Sequence, residues 1–273
     1  MSRRALRFKW HRLKRRRSDP PFLRANLEAG LAAGAPLEVD LRATADGHWV
    51  CLHDATLERE TSGAGPVAAQ ARAELERLRQ RAEDGRLLLD PPLFLDELAE
   101  AVRRHGTAEP GLIQLDVKEA GARLDDRLLT AFARPLADIA PAFTVSGCDA
   151  ALIETLARAV PGIAKGFDPL AMYEERGLPA SAEAFRELAE ATFTAMPDAA
   201  IFYLEARLVL AAARHGVTLP AIVKRAGAFV DAWTLDADRA DLASTLRELA
   251  RLGCDRITSN DPLELEALWE GLR

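Results

Sequence analysis

Aromatic residues make up only 6% of the 273 residues, and three cysteines, Cys51, Cys148 and Cys254, stand far apart without metal-ligand spacing. Neither a disulfide framework nor a zinc site fits that pattern, and each cysteine, lying among apolar neighbours, is expected in the core. No apolar run approaches the ~18 uncharged residues of a membrane span, and the N-terminus lacks the apolar stretch of a secretory signal, so the chain is expected to be cytoplasmic. Also missing is a Gly-rich G-x-G-x-x-G or Walker turn after a strand, which argues against a dinucleotide-binding sheet. Ser146 has no G-x-S-x-G context and no cysteine adjoins an evident base, so a serine or cysteine nucleophile finds little support.

What is present is a composition of 49% hydrophobic and 29% charged residues, enough apolar side chains for one large core. The net charge of −6 conceals an asymmetry, because residues 1–17 carry nine Lys/Arg and no acid. Residues 1–18 are therefore expected as a basic arm, solvated or drawn to an anionic membrane surface, ahead of one domain over 19–273. The acidic remainder argues against a nucleic-acid partner.

From about residue 36, β-type runs alternate with segments whose apolar residues recur every three or four positions. Strands are predicted at Pro36–Leu41, Trp49–His53, Leu112–Lys118, Ala142–Ser146, Ile163–Phe167, Ala200–Leu204, Phe229–Leu235 and Arg256–Thr258. Helices are predicted at roughly 22–33, 72–82, 94–105, 124–138, 149–159, 182–193, 205–215, 238–252 and 262–271. His105-Gly106 and His215-Gly216 read as helix ends. Acidic and histidine residues gather at the C-terminal ends of several strands, where a barrel converges on one mouth, so the expected fold is a (β/α)8 TIM barrel. Residues 55–91, too long for a connection and poor in β signal, are expected to form a small insertion after the His53-Asp54 strand.

Glu38-Val39-Asp40 puts two carboxylates on one face of a strand, an arrangement that is costly unless a cation shares them. A hard divalent ion, Mg²⁺ or Ca²⁺, suits oxygen donors; the plainer alternative is a solvated strand end with Arg42 as counter-ion. Asp116 adds a third oxygen, and Lys118 on the same face adds a charge suited to phosphate. With His53 to move protons near neutral pH, the set points to phosphate-ester hydrolysis. His48, in the Asp46-Gly47 turn, reads as a solvated turn residue.

The stretch Gly34–Gly65, G-A-P-L-E-V-D-L-R-A-T-A-D-G-H-W-V-C-L-H-D-A-T-L-E-R-E-T-S-G-A-G, resembles the glycerophosphodiester phosphodiesterases. Their pattern is G-A-x-x-I-E-x-D-V-x-x-T-x-D-G-x-x-V-x-x-H-D-x-x-L-x-R-T-T-x-G-x-G, which this chain follows with one deletion before Glu38. Ile113–Lys118 resembles that family's strand ending E-I-K, with aspartate in place of glutamate, and Phe143–Ser146 its strand ending Ser-Phe, with Gly147 for the aromatic. Ala232–Leu235 resembles its W-T-V-N strand, and Gly253–Pro262 its G-V-D-G-I-I-T-D-x-P. The resemblance implies a (β/α)8 barrel hydrolysing glycerophosphodiesters to glycerol phosphate and an alcohol. Glu38, Asp40 and Asp116 would bind a divalent metal, His53 would be one of two acid–base histidines, Lys118 would contact phosphate, and Trp233 would wall the pocket or fill the barrel.

The second histidine and a phosphate-holding arginine belong to a His-Arg-Gly strand end, for which His11-Arg12 is the candidate. Here Leu13 replaces the glycine, and Pro21-Phe22-Leu23-Arg24 replaces Pro-Glu-Asn-Thr. Arg7, Lys9 and Arg15–Arg17 do not read as a buried inner strand, so His11 is either catalytic or a chance histidine in the arm. Two other functions stay open: a lyase on the same scaffold that forms a cyclic phosphate, and a non-catalytic phosphate- or headgroup-binding barrel recruited to membranes.

Overall fold

A computed structural model describes residues 6–119 and 124–272; residues 1–5 of the expected arm lie outside that range. In chain order the elements are β1 (Arg7–Trp10), α1 (Arg24–Ala33), β2 (Leu37–Ala43), β3 (Trp49–Cys51), α2 (Arg72–Leu75), α3 (Leu95–His105), β4 (Ile113–Val117) and α4 (Asp126–Leu136). They continue as β5 (Phe143–Ser146), α5 (Ala150–Ala159), β6 (Ala164–Phe167), α6 (Leu170–Tyr173), α7 (Ala182–Ala195), β7 (Ile201–Glu205), α8 (Ala206–Arg214) and α9 (Leu219–Val223). The last are β8 (Phe229–Trp233), α10 (Leu242–Leu252), β9 (Arg256–Ser259) and α11 (Pro262–Leu272). Among the described residues, β1, β2 and β4 to β9 pair in parallel in sequence order, and the ring closes where Trp10 pairs with Leu37. This is the expected (β/α)8 barrel.

Side-chain parity explains why the first strand is hard to see. Along β1, Phe8 and Trp10 join the hydrophobic cluster shared with the helices, whereas Lys9 lines the cavity inside the barrel. The same division runs through β2, where Leu37, Val39 and Leu41 are core and Glu38 and Asp40 face the lumen. The apolar core therefore lies between strands and helices, and the upper lumen is polar. A basic, alternating R-F-K-W segment is compatible with that lumen, so the expected basic arm over residues 1–18 is corrected at Arg7–Trp10, which is a barrel strand paired with β9 from Arg7↔Arg256 to Trp10↔Ser259.

The predicted strand at Trp49–His53 is likewise not a barrel stave. It is β3, which pairs antiparallel with the end of β2, Leu41↔Cys51 to Ala43↔Trp49, through the turn at Gly47. Gly47 has φ 81, and a Cβ there would come within 2.6 Å of the Arg127 side chain, so glycine serves the turn twice. Residues 55–91 contain a 3-10 turn at Val67–Ala69 and one short α-helical turn, α2, in place of the predicted helix over 72–82; Leu75 packs with Val50, Leu52, Leu57, Val67 and Phe94 in a second small core. Local caps set several helix starts: the Asp125 carboxylate accepts the Leu128 amide at 2.8 Å, and that of Asp149 accepts the Ala151 amide at 2.9 Å. His105 and His215 lie at helix C-terminal ends, followed by Gly106 (φ 72) and Gly216 (φ 71). Among the described residues, no helix is long and apolar enough to cross a membrane.

Candidate active site

A cavity of about 500 Å³ opens at the C-terminal ends of the strands, and His11, Arg12, Glu38, Asp40, His53, Asp116, Lys118 and Trp233 all line it. Parallel register explains the convergence: Asp40 pairs with Asp116 across β2 and β4, and Glu38 stands one inward step below Asp40. One carboxylate oxygen from each of Glu38, Asp40 and Asp116 lies within 4.8 Å of the others. Burial, together with the charges of Asp40 and Asp116, pushes the Glu38 carboxyl well above its ordinary range. Burial would raise Asp40 too, but Lys118 and Arg12 outweigh it and hold that carboxyl at about 2. Lys118 Nζ lies 3.1 Å from Asp40 Oδ1 and donates to Asp116 Oδ2. Arg42 is not the counter-ion of this cluster; its guanidinium is spent on the backbone carbonyls of His53 and Lys118.

The cluster suits a hard divalent cation. Its donors are all carboxylate oxygen, two of the three residues are buried, and Glu38 is raised by burial and then by two neighbouring anions whose charge a cation would neutralise.

Both imidazoles are fixed through Nδ1. The Asn260 amide NH2 donates to Asp236 Oδ2 at 3.0 Å, which turns Asn260 Oδ1 toward His11 Nδ1 at 2.9 Å. Nδ1 therefore carries the proton, and His11 Nε2 faces Glu38 Oε2 at 4.0 Å. Burial and the adjacent Arg12 charge lower His11 to about 4, so its Nε2 is an open acceptor at neutral pH. His53 Nδ1 lies 2.8 Å from Asp54 Oδ1, and Arg59 binds both oxygens of that carboxylate. Glu60 Oε2 accepts the amides of His53 and Asp54 at 3.0 and 2.8 Å, pinning the loop that carries the imidazole.

At His11-Arg12-Leu13 the backbone turns into the left-handed region, with φ 52 at Arg12 and 59 at Leu13. The turn points the Arg12 amide at Glu38 Oε2 (2.6 Å) and brings its Nε within 3.2 Å of Asp40 Oδ2. Leu13 occupies a position where glycine would be unstrained, at a cost of order 1 kcal/mol, and its fully buried side chain offsets this.

Several residues at the site escaped the sequence. Asn260 closes the last strand, and its only signal was a polar S-N-D-P at a strand end. Asp168, after β6, lines the cavity with Oδ1 accepting the Leu170 amide at 2.8 Å, and burial pushes its carboxyl up to about 8. Cys148 was expected in the core but is exposed at the cavity rim, whereas Cys51 and Cys254 are buried.

Fold and site define a (β/α)8 barrel whose mouth combines a cluster of three carboxylates with two oriented imidazoles, an arginine and a lysine. Residues 25–118 match the Glycerophosphoryl diester phosphodiesterase family. A stretch of 60 residues is 42% identical to the probable glycerophosphodiester phosphodiesterase 1 of Mycobacterium tuberculosis, a match that spans 22% of this chain and 22% of that protein. Over 98% of this chain and 94% of the other, the fold superposes on a putative glycerophosphoryl diester phosphodiesterase from Silicibacter pomeroyi with TM-score 0.74 at 19% identity. An Oleispira antarctica phosphodiesterase solved with the product sn-glycerol-3-phosphate superposes with TM-score 0.69 at 21% identity, covering 97% and 96% of the two chains.

Proposed function

We propose that the protein is a metal-dependent phosphodiesterase that hydrolyses glycerophosphodiesters to glycerol phosphate and an alcohol. The observation that carries this is one cavity holding three converging carboxylates together with two imidazoles, each tied at Nδ1 with Nε2 left over. The family match and the glycerol-phosphate complex of the Oleispira relative support it.

Glu38, Asp40 and Asp116 would hold the cation, Mg²⁺ or Ca²⁺ by the hardness of its donors. When bound, the ion would neutralise the phosphoryl oxygens and favour deprotonation of the attacking group. Arg12 and Lys118 meet the remaining phosphate charge and fix the diester in the cavity. His11, unprotonated, takes the proton of the attacking water at Nε2, while Asn260 keeps the opposite nitrogen protonated and the ring aimed. His53 delivers a proton from Nε2 to the departing alcohol oxygen, while Asp54, held in place by Arg59, keeps its Nδ1 oriented. Trp233 walls the pocket, its Nε1 buried without a protein acceptor among the described residues.

A membrane-facing role for the mouth also has support. Arg15 and Arg16, just after β1, are exposed, and Lys14 pairs with Glu83 at 2.6 Å, bringing the turn of a neighbouring hairpin beside them. That hairpin carries the large hydrophobics most exposed among the described residues, Leu87 at 41% and Leu89 at 86%. Exposed cations and exposed leucines on two segments joined by the Lys14–Glu83 ion pair suit an anionic lipid surface. Three unpaired cysteines support residence in the reducing cytoplasm.

The test is turnover of a panel of glycerophosphodiesters with phosphorus NMR of the products. Glycerol phosphate formed only with a divalent ion is expected. A cyclic phosphate as final product would replace hydrolysis by the lyase reaction, and headgroup binding without turnover across diesters and ions would leave a binding protein.

A further inference from the structure

Below the carboxylates, the lumen holds an ammonium in the interior of a barrel. Lys9 is 1% exposed, its Nζ lies 2.8 Å from Asp231 Oδ2, and it sits 4.4 Å over the Tyr203 ring. Gly166 makes room for that ring, since a Cβ there would come within 2.5 Å of Tyr203. Asp231 is held from the other side by Thr258 Oγ1 at 2.6 Å. The Lys9 charge is thus balanced locally, and what remains to be explained is its third partner, Gln114.

An ammonium can only donate, so Lys9 forces Gln114 to present Oε1 to it, and Gln114 Nε2 must then face the other way. It faces Ser146 Oγ at 2.9 Å, which occupies that hydroxyl as an acceptor. The serine proton is left for Asp116 Oδ1, 3.0 Å away and closer than the Leu115 carbonyl at 3.5 Å. Every donor therefore points the same way, from Lys9 through Gln114 and Ser146 to one oxygen of Asp116, while Lys118 occupies the other oxygen. Asp116 is one methylene shorter than the glutamate that the E-I-K resemblance implies here, so the place of its oxygens depends closely on what grips them.

We infer that Gln114 and Ser146, with Lys9 behind them, are positioning residues that set the carboxylate of Asp116 for cation binding. The inference rests on the carboxylate trio being a cation site. Outer partners of this kind are worth 10–100-fold in metal affinity.

The experiment is Mn²⁺ titration by electron paramagnetic resonance of the full chain and of Ser146→Ala, Ser146→Thr and Gln114→Glu, with thermal unfolding of each in EDTA. Gln114→Glu is nearly isosteric and keeps the Lys9 contact, but its carboxylate accepts the serine proton and turns the relay away from Asp116. Expected are Mn²⁺ dissociation constants weakened about 10-fold or more in Ser146→Ala and Gln114→Glu, near wild type in Ser146→Thr, with little change in unfolding temperature in EDTA. Wild-type Mn²⁺ affinity in Ser146→Ala and Gln114→Glu overturns the inference. So does a loss of affinity matched by a large fall in unfolding temperature that Ser146→Thr does not restore, because that marks a structural role. A wild-type chain that binds no Mn²⁺ overturns the cation site itself, a result distinct from the other two.

Discussion

Replacing Glu38 by glutamine should change stability in opposite directions with and without metal. Without a cation, the three carboxylates repel one another; two unit charges 4.8 Å apart interact by roughly 3 kcal/mol at an effective dielectric of ~20. Burial, Asp40 and Asp116 raise the Glu38 carboxyl well above its ordinary 4.5, so folding without a cation costs free energy at this residue. Folding at pH 7 then costs about 1.4 kcal/mol per unit above the unfolded value, a ceiling of about 3 kcal/mol. Glutamine removes that cost and keeps an oxygen that accepts the Arg12 amide, losing only the charge assistance of that bond, about 1 kcal/mol. The net gain is therefore at most about 2 kcal/mol, a rise of no more than roughly 4–8 °C in unfolding temperature for a chain of this size. Adding metal reverses the order. At a hundred times its dissociation constant, a cation stabilises the wild type by about 2.7 kcal/mol; a hundredfold weaker site retains about 0.4 kcal/mol. Scanning fluorimetry at pH 7 in EDTA and in a Mg²⁺, Ca²⁺ or Mn²⁺ series reads both effects. A variant less stable than wild type in EDTA, with an undiminished metal-induced rise, would refute the cation-site reasoning.

Three further outcomes follow from the same geometry. His11→Ala and His53→Ala are each expected to lower kcat by about 10²–10⁴ while keeping the metal-induced rise in unfolding temperature; full turnover in His11→Ala would return that residue to a chance histidine. Asp168, raised by burial from 3.8 to about 8, binds more protons folded than unfolded, so its contribution is present below pH 3.8 and lost as pH climbs through about 8. Asp168→Asn should remove a slope of at most about 1.4 kcal/mol per pH unit in that window, read by urea unfolding from pH 5 to 8.5, and an unchanged slope counts against the carboxyl as its source. Finally, sedimentation with phosphatidylserine liposomes should detect salt-sensitive binding that falls when Arg15→Glu and Arg16→Glu are combined with Leu89→Ser; equal binding by that variant would remove the mouth-side surface.

How much of this was legible in the chain differs from element to element. Strands β2 and β4 to β9 were legible because each alternates or runs apolar over several residues between helical periods, as at Leu37–Leu41 and Ile113–Val117. Strand β1 was not, because its inward residues are Arg7 and Lys9, and a charge in a strand signals burial only when its partner is known. That partner, Asp231, is 222 positions away along the chain. The segment Trp49–Cys51 is strand by composition, yet nothing local separates a stave from a flap folded back on β2. Helix 72–82 had the right period, but Leu75 is claimed by a small core with Val50 and Phe94 that ends the helix after one turn.

The sequence by itself determined the class of fold and the chemistry of the mouth, because the period of apolar residues and the identities of Glu38, Asp40, His53, Asp116 and Lys118 are local properties. Tertiary structure alone decided how the polar groups of the lumen meet: which nitrogen of His11 faces Asn260, which oxygen of Asp116 Ser146 grips, and why Lys9 can stand inside a barrel. Those outcomes depend on partners such as Asn260 and Asp231, brought within 3 Å only when the last strands close the ring, and no stretch of chain encodes its own distant neighbour.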